Sequence, residues 1–457
     1  MNSSKYQVIV VGAGISGLRC ATLLQKAGLS VKVLEANHQV GGRLRNHKFN
    51  NGDKVDIGGQ WVGPGQNRMY ALIDELKAKT YPLYNRGKNI LRHKGRLKTY
   101  VGVIPRLPVW HLIQVGWLLW RFDSLVKTID CAAPYENKHA EKWDGMTLQS
   151  WINKNSVSET ARKVFALGVS AVFTVEAKEI SLLHALFYAK SGLSLDNLIS
   201  VDGGAQQDRV HEGTAGLCET MALGLGDALE LNAVVERVSY QSNEVEVKIR
   251  NQEEILKSDR IIFAIAPNQL QRLQFDPPMP LAKDQMWQHM PAGSCIKCVA
   301  QYEVPFWREL GLSGQSVCLD EDILINVSFD NSQKGKTSGL LMGFIEGKKA
   351  REWSVKSDAD RKQAVLASFA AFFGPQALNA IDYVDQDWSK ESYIRGCYAA
   401  NFTPGAWTEF GVNLRTPIGP IHFAGTETAN QWYGYMEGGL EAAERAVNEV
   451  IKSLGFY

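Results

Sequence analysis

The sequence predicts an α/β fold that contains a Rossmann-like dinucleotide-binding domain. Two observations carry this prediction. The first is a complete βαβ unit within the first forty residues, and the second is a set of apolar strands further along the chain that suit a covered sheet. The chain has 457 residues, which suits two large domains or about three smaller ones.

The βαβ unit opens with residues 7–11 (QVIVV), an apolar run typical of a parallel strand covered on both faces. The glycine-rich turn GAGISG follows at residues 12–17. A helical pattern then runs from residue 18 to Gly28, and a second apolar strand at 31–34 ends in Glu35. Every part of a dinucleotide-binding unit is therefore present in the expected order.

Each residue of this unit has a physical task. Gly12 makes the tight turn, Gly14 lets the backbone approach a pyrophosphate, and Gly17 lets the helix pack closely on the strand. The helix N-terminus offers free N–H groups to the phosphates. Glu35 can accept hydrogen bonds from ribose hydroxyls. Because no basic residue adjoins this acid, NADP is disfavoured, while NAD and FAD both stay open.

Composition excludes several other classes of protein. Hydrophobic residues make up 45% and charged residues 21%, as in ordinary globular proteins. With 50 basic and 48 acidic residues the net charge is +2, which disfavours nucleic acid as a partner. Seven scattered cysteines predict reduced thiols rather than a disulfide framework.

The N-terminus lacks the pattern of a signal peptide, so we expect a soluble, cytoplasmic protein. The longest uncharged stretch, residues 107–120, is shorter than the roughly 20 residues of a transmembrane helix. We expect it to form a partly buried helix of a large domain. Its tryptophans leave open that it lies on a bilayer or lines an entrance.

Four further strands are predicted in the middle of the chain. Residues 232–248 read as a hairpin with its turn at Ser242 and Asn243, and residues 260–266 read as a buried strand ended by Pro267. The apolar strand 295–300 contains one charged residue, Lys297. A buried lysine is costly, so Lys297 is a functional candidate unless the strand lies at an edge and the side chain reaches water.

Cys295 and Cys298 form a CxxC pair on this same strand. Residues three apart on a strand point to opposite faces, so we expect no disulfide or metal site between them. The chain also lacks a second CxxC or an HExxH motif that would bind zinc, and we predict no metal site.

Several motifs beyond the βαβ unit resemble those of flavin-containing amine oxidases, and within that family the monoamine oxidases. They are GGR at 41–43, GGQW at 58–61, GCY at 396–398, FAGTET at 423–428 and WYGYMEG at 432–438. The similarity extends from Val8 to about Val450, without the C-terminal membrane anchor of the mitochondrial enzymes.

The resemblance implies FAD as the cofactor. It also implies an FAD domain assembled from 1–82, 212–288 and 392–457, with an inserted α+β substrate domain made of 83–211 and 289–391. The residues that it places around FAD are Gly12, Gly14, Ser16, Gly17, Glu35, Gly42, Arg43, Gly58, Gly59, Gln60, Trp61, Val235, Trp388, Cys397, Gly425, Thr426, Glu427 and Met436.

The resemblance assigns catalytic roles to three side chains. Lys297 takes the place of the lysine that is hydrogen-bonded through water to flavin N5. Tyr398 and Tyr435 form an aromatic pair that guides the amine to the flavin. Cys397 stands where the family forms a thioether to the flavin, so we expect covalent FAD.

The residues that would line the substrate pocket depart from the mitochondrial pattern. Trp61 replaces a tyrosine, and small residues at Ala171 and Val327 predict a roomier cavity. Because one residue is added near position 206, either Gln206 or Gln207 would face the substrate. The pocket residues carried over are Ala171, Val172, Ile199, Gln206, Gln207, Val327 and Phe344.

These residues predict an oxidase that converts a primary or secondary amine, with O2, into an aldehyde, ammonia or a smaller amine, and hydrogen peroxide. A polyamine oxidase stays open, with Asp202 or Asp208 binding a second ammonium. An L-amino-acid oxidase would need a cation for the carboxylate. A flavin-fold binding protein without catalysis is the remaining alternative. A homodimer is implied by the resemblance alone.

Overall fold

Strands and helices alternate along most of the chain in this computed structural model, which describes residues 5–455. The strands are β1 (Lys5–Val11), β2 (Val31–Leu34), β3 (Asn46–Lys48), β4 (Lys54–Asp56), β5 (Trp61–Val62), β6 (Thr80–Pro82), β7 (Lys88–His93), β8 (Arg96–Tyr100), β9 (Asp208–Val210), β10 (Leu229–Glu230), β11 (Val235–Gln241), β12 (Glu244–Ile249), β13 (Ile255–Phe263), β14 (Gln274–Asp276), β15 (Cys295–Tyr302), β16 (Leu312–Cys318), β17 (Val327–Asp330), β18 (Gly339–Glu346), β19 (Asp382–Asp387) and β20 (Ile421–Phe423).

The helices are α1 (Ile15–Lys26), α2 (Asn67–Glu75), α3 (Val109–Val126), α4 (Ala140–Asp144), α5 (Leu148–Asn155), α6 (Glu159–Phe173), α7 (Leu182–Ser191), α8 (Leu195–Ile199), α9 (Thr214–Leu225), α10 (Pro267–Leu270), α11 (Leu281–Gln288), α12 (Phe306–Glu309), α13 (Gly347–Ser354), α14 (Asp358–Phe373), α15 (Ala406–Phe410) and α16 (Met436–Ser453). Short 3-10 helices lie at Pro134–Glu136, Gly226–Ala228, Pro375–Leu378, Gly411–Asn413 and Thr426–Thr428.

The larger sheet has eight strands in the order β10-β2-β1-β13-β12-β11-β14, with β20 also beside β13. Strands β10, β2, β1, β13 and β20 are parallel, which confirms the predicted βαβ unit. The centre of β1 is fully buried, because α1 and α16 pack together on one face and a second apolar cluster covers the other.

The predicted hairpin is also confirmed: β11 and β12 are antiparallel and turn at Ser242 and Asn243. The strand predicted at 260–266 is β13, which begins earlier, at Ile255, and ends at Phe263. Residues 264–266 leave the sheet, and α10 begins with Pro267 at its first position, where no N–H is needed.

The second large sheet has the order β19-β15-β18-β17-β16-β7-β8. Strand β15 lies inside it and pairs with β18 and β19, so Lys297 is only 2% exposed and the edge-strand alternative is wrong. Cys295 and Cys298 join different apolar clusters on the two faces of β15, as predicted from strand geometry. All seven cysteines are free.

The tryptophan-rich stretch is part of the 18-residue helix α3. Its side chains Val115, Leu118, Phe122 and Val126 are buried, which confirms a partly buried helix. Between residues 5 and 455, no helix is both long and apolar enough to cross a membrane. The same residues contain no group of three or more His, Cys, Asp or Glu side chains placed to hold a metal ion.

Candidate active site

A cavity of about 700 Å³ takes wall residues from both large sheets and from α1, α7 and α16. Most of the predicted site residues line it. They are Gly12, Gly14, Ser16, Glu35, Gly42, Arg43, Gly58, Gly59, Gln60, Trp61, Ala171, Val172, Gln206, Val235, Lys297, Phe344, Trp388, Cys397, Tyr398, Gly425, Thr426, Tyr435 and Met436.

The glycine turn lies between β1 and α1 at one part of the cavity. Gly12 has a φ of +98°, and a Cβ there would approach the Ala264 carbonyl oxygen to 2.9 Å. A Cβ at Gly17 would overlap the Gly12 carbonyl oxygen, so helix and turn meet without room for a side chain. Gly14 caps α1 without a side-chain hydrogen bond, and no acid stands in the first turn. The positive helix end is therefore open to an anion.

Glu35 holds the turn from the end of β2. Its carboxylate accepts hydrogen bonds from the backbone N–H groups of Ala13 (2.7 Å) and Asn37 (2.8 Å). Burial raises the pKa of Glu35, and these backbone bonds oppose the rise. Each oxygen keeps a second lone pair, so the carboxylate can still accept from the hydroxyls of a ribose.

A partly buried ion pair joins the N-terminal and C-terminal parts of the site. Arg43 donates to both oxygens of Glu427, over 2.6 and 3.0 Å, and also to the Tyr398 carbonyl oxygen at 2.6 Å. Nearby, the Ser16 hydroxyl accepts from the Gly425 N–H at 3.0 Å. These contacts fix the loop before α16 against the glycine turn.

Lys297 projects from β15 into the cavity wall. Its Nζ donates to the Gly58 carbonyl oxygen at 2.9 Å and to Gln60 Oε1 at 2.6 Å. Burial lowers the pKa of Lys297 to about 7. Because an ammonium has three donors and two are engaged here, the third is free for a group in the cavity.

Tyr398 is held from several sides. Its N–H donates to the Thr174 hydroxyl at 3.0 Å, and its ring meets Phe344 edge to face with centroids 5.9 Å apart. Its hydroxyl lies 3.4 Å from Glu346 Oε1. The preceding residue, Cys397, is 4% exposed and lines the same cavity.

Tyr435 enters the cavity from the start of α16. Its carbonyl oxygen accepts from the Thr426 hydroxyl at 2.8 Å. Its ring contacts Trp432 and Tyr188, with centroids 5.3 and 6.3 Å away and the planes steeply inclined. Two tyrosine rings with fixed positions therefore belong to one cavity wall.

Nine of the residues that line the cavity form a largely apolar group, which we call the apolar end. Its walls are Trp61, Ala171, Val172, Tyr188, Leu198, Gln206, Phe344, Tyr398 and Tyr435. Two buried polar atoms here, Trp61 Nε1 and Gln206 Oε1, have no hydrogen-bond partner among residues 5–455. Buried polar groups are costly without partners, so these atoms are available to a bound molecule or water.

Several predicted residues lie outside the cavity wall. Gly17 packs on the turn, and Glu427 stands behind Arg43. Gln207 bonds to the Gly203 N–H and to Asp208, while its neighbour Gln206 faces the cavity.

Two predicted pocket residues are also set back. Ile199 ends α8 and packs against the apolar core, whereas Leu198 of the same helix lines the cavity. Val327 packs against the same apolar cluster as Tyr398, but it does not line the cavity.

Sequence reasoning missed other wall residues. Tyr188 comes from the mostly apolar and buried helix α7, and Cys295 from the strand that carries Lys297. Arg250, Gln269 and Arg272 join the wall near Val235. None of these five residues stands in a recognisable sequence motif. They meet at the cavity only through tertiary packing, so no local pattern could have identified them.

These residues fit a dinucleotide with a ring system at one end. The open helix end suits a pyrophosphate and Glu35 suits a ribose. The unpartnered Trp61 and Gln206 atoms and the free Lys297 donor supply polar contacts at the other end.

Comparison with known proteins agrees with this geometry. The family model described as flavin containing amine oxidoreductase matches residues 15–451. The flavin-containing amine oxidase A of Sus scrofa is 36% identical over 455 residues, covering 98% of this chain and 85% of that protein. The corresponding enzyme B of Cavia porcellus is 37% identical over 459 residues, covering 99% and 87%.

Solved structures show the same likeness. Wild-type putrescine oxidase bound to putrescine has a TM-score of 0.94 and 33% identity, covering 98% of this chain and 99% of that one. Cyclohexylamine oxidase from Brevibacterium oxydans also has a TM-score of 0.94, at 28% identity over 99% and 100%. The α/β class is thereby confirmed. The chain belongs to the flavin-containing amine oxidoreductases, enzymes that oxidise amines.

Proposed function

We propose that this chain is an FAD-dependent oxidase of monoamines with an apolar tail. One amine, one O2 and one water would give one aldehyde, one ammonia and one hydrogen peroxide, and a secondary amine would release a smaller amine instead. The observation that carries the proposal is a single cavity that joins a dinucleotide cradle to Tyr398, Tyr435 and the buried Lys297.

The cofactor supplies the redox chemistry. FAD held by the dinucleotide cradle would accept the two electrons and two protons that leave the amine as its imine forms, and dioxygen would then take them up as hydrogen peroxide. Tyr398 and Tyr435 orient the neutral amine between their ring faces, which attract the partial positive charge of its N–H groups. The apolar end excludes water from the bound tail.

Lys297 holds a proton at the cavity wall. Gly58 O and Gln60 Oε1 fix its Nζ, so the remaining donor or lone pair points to a constant position. Because its pKa is lowered to about 7, the Lys297 amino group can exchange a proton with a bound water close to neutral pH. We assign Lys297 the role of holding that water.

Charges around the cavity favour a monoamine over a diamine or polyamine. Asp202 bonds to Asn85 and Asp208 to Tyr70, and neither lines the cavity. Glu346 lies behind Tyr398, and burial raises its pKa to about 8, so it is mostly uncharged at pH 7. Among residues 5–455, none of the side chains of the apolar end is a carboxylate that could bind a second ammonium.

An amino-acid substrate is disfavoured for the opposite reason. The carboxylate of an amino acid needs a cation. Both terminal nitrogens of the Arg43 guanidinium already donate to the two carboxylate oxygens of Glu427. Two of the three Lys297 donors are engaged by oxygen acceptors, and Lys297 is not one of the residues of the apolar end. None of the nine residues of the apolar end is basic.

Covalent attachment through Cys397 is part of the proposal. Cys397 directly precedes Tyr398 in the chain and lines the same cavity as the glycine turn. A thioether at Cys397 would fix the flavin ring relative to Tyr398 and Tyr435 and would prevent the cofactor from dissociating.

The domain division is proposed as well. The eight-stranded sheet takes its strands from 5–34, 229–276 and 421–423, within the three FAD segments 1–82, 212–288 and 392–457. The seven-stranded sheet takes its strands from 88–100, 295–346 and 382–387, within 83–211 and 289–391. Strand β9 is an exception, since it pairs with β5 and β6 of the first segment.

A kinetic comparison tests the proposal. Peroxide and aldehyde are measured with aromatic and aliphatic monoamines, diamines and L-amino acids, and monoamines are expected to give the highest kcat/KM. Tyr398→Leu and Tyr435→Leu should each lower kcat/KM by about tenfold or more, while both Tyr→Phe variants keep most of it. Tyr433→Phe, outside the cavity, is the control. Faster oxidation of diamines or amino acids would refute the substrate class.

A further inference from the structure

Exposed apolar side chains are concentrated on one part of the surface. Of the 21 large hydrophobic residues exposed in residues 5–455, nine lie between positions 97 and 120, including all three exposed tryptophans. We call these nine residues the Trp patch: Leu97, Val101, Val103, Ile104, Val109, Trp110, Ile113, Trp117 and Trp120. Soluble surfaces rarely keep such residues together without a partner.

Three consecutive elements contribute to the Trp patch and pack on one another. They are the edge strand β8, the loop at residues 101–108 and helix α3. Tyr100 and Leu107 are buried in the same apolar cluster, against which Leu112 of α3 also packs. Asn89 of β7 donates to the Gly102 carbonyl oxygen at 3.0 Å. The patch is therefore one surface on a fixed support.

Helix α3 has two apolar faces. At 3.6 residues per turn, its exposed residues Val109, Trp110, Ile113, Trp117 and Trp120 fall within an arc of about 100°. The buried side chains Val115, Leu118, Phe122 and Val126 occupy the opposite side. The inner face already packs on the core, so the outer face has no partner within the described chain.

The chain segment that carries the Trp patch is basic, although Lys94 at its start lies beside the acids Glu159, Asp320, Glu321 and Asp322. Residues 94–127 carry six basic side chains, namely Lys94, Arg96, Lys98, Arg106, Arg121 and Lys127, against the single acid Asp123. Asp123 is paired with Lys127 at 2.9 Å. Trp117 and Trp120 lie with ring centroids 5.2 Å apart, and the Arg121 guanidinium is 5.8 Å from the Trp117 ring. The protein as a whole is nearly neutral, so this charge is local.

We propose that the Trp patch docks the protein on the headgroup region of an anionic lipid bilayer. Helix α3 lies parallel to the surface, its tryptophans enter the headgroup and acyl boundary, and the basic residues contact lipid phosphates. A second copy of this chain fits less well. A two-fold contact through the patch would bring two equally basic surfaces together, whereas anionic lipid complements them. This inference is independent of the proposed function.

Vesicle sedimentation tests the proposal with the full-length, flavin-loaded protein. Vesicles of phosphatidylcholine are compared with an equal mixture of phosphatidylcholine and phosphatidylglycerol. We expect binding to the mixed vesicles that weakens as salt is raised. In unaltered protein, bromine-labelled acyl chains should quench part of the tryptophan fluorescence, which needs no variant. Protein that stays in the supernatant with both vesicles would overturn the proposal.

Two variants test whether vesicle binding depends on the Trp patch. Combined replacement of Trp110, Trp117 and Trp120 by serine should lower the affinity for mixed vesicles by about tenfold or more and leave amine oxidation in solution unchanged. A double variant at two equally exposed positions elsewhere, Leu223→Ser and Val355→Ser, is the control and should bind like the parent. Equal loss in both variants, or a dimer that the triple variant converts to monomer, would contradict bilayer docking.

Discussion

Replacing Lys297 by methionine turns a buried, titratable amine into an apolar side chain of similar length. Burial lowers the pKa of Lys297 from 10.5 to about 7. Between these values the unfolded chain binds more protons than the native one, so native stability falls as the pH is lowered through this window. The slope is about 1.4 kcal/mol per pH unit, or about 3 kcal/mol between pH 9.5 and 7.5.

Methionine removes this titration. It also leaves the oxygens of Gly58 and Gln60 without their donor, which costs about 1–3 kcal/mol at any pH. The informative quantity is therefore how the stability difference between the two proteins changes with pH. For 457 residues the unfolding entropy is about 1 kcal/mol per degree, so 3 kcal/mol corresponds to about 3 °C in Tm.

Thermal unfolding of both proteins at pH 7.5 and 9.5 measures this change. Relative to the parent, Lys297→Met should be about 3 °C more stable at pH 7.5 than at pH 9.5. Lys356→Met, at an exposed position, should show no such change. Lys283 is also buried with a pKa lowered to about 7, but it lies outside the cavity wall. Lys283→Met should therefore show the pH effect and keep kcat. A Tm difference that is independent of pH would refute the reasoning.

Three further predictions concern the cavity. Cys397→Ser should release its flavin on acid precipitation while the parent retains it in the pellet, and flavin in the parent supernatant would disprove the thioether. Gly17→Ala forces a Cβ onto the Gly12 carbonyl oxygen and should lower the flavin-to-protein ratio, whereas Gly224→Ala, in open space, should not; equal ratios would contradict the packing. Ala171→Leu should lower kcat/KM for bulky aromatic amines about tenfold more than for small amines, and an equal effect on both would place residue 171 away from the substrate.

Local patterns were sufficient for the parts of the fold that local physics determines. The glycine turn, the helix after it and Glu35 lie within thirty residues, and each has a conformational or charge requirement that only a few residue types meet. The hairpin at Ser242 and Asn243 is likewise set by alternation and a turn.

Long-range packing determined what the patterns left open. Arg43 and Glu427 are 384 residues apart, and no periodicity indicates that they form a bidentate pair. Tyr188 reaches the cavity from helix α7, in which nine of the ten residues are buried, so no exposed polar stripe in its sequence marks the face that meets the cavity. The choice between Gln206 and Gln207 depends on the bonds that Gln207 makes to its own turn.

Helix α3 shows the same limit in another form. Its apolar residues surround nearly the whole helix, so the sequence predicts a helix but does not tell the buried face from the exposed one. Only packing against α6 and α7 identifies the inner side. The outer tryptophans then become a feature that needs its own explanation.

The most direct test of the central claim is an anaerobic titration of the purified flavoprotein with an aromatic monoamine, followed by admission of O2. The account predicts that visible flavin absorbance is lost with one equivalent of amine, returns when O2 enters, and leaves one aldehyde and one hydrogen peroxide per amine consumed. Absorbance that does not respond to any monoamine but is lost with a diamine or an L-amino acid would contradict it.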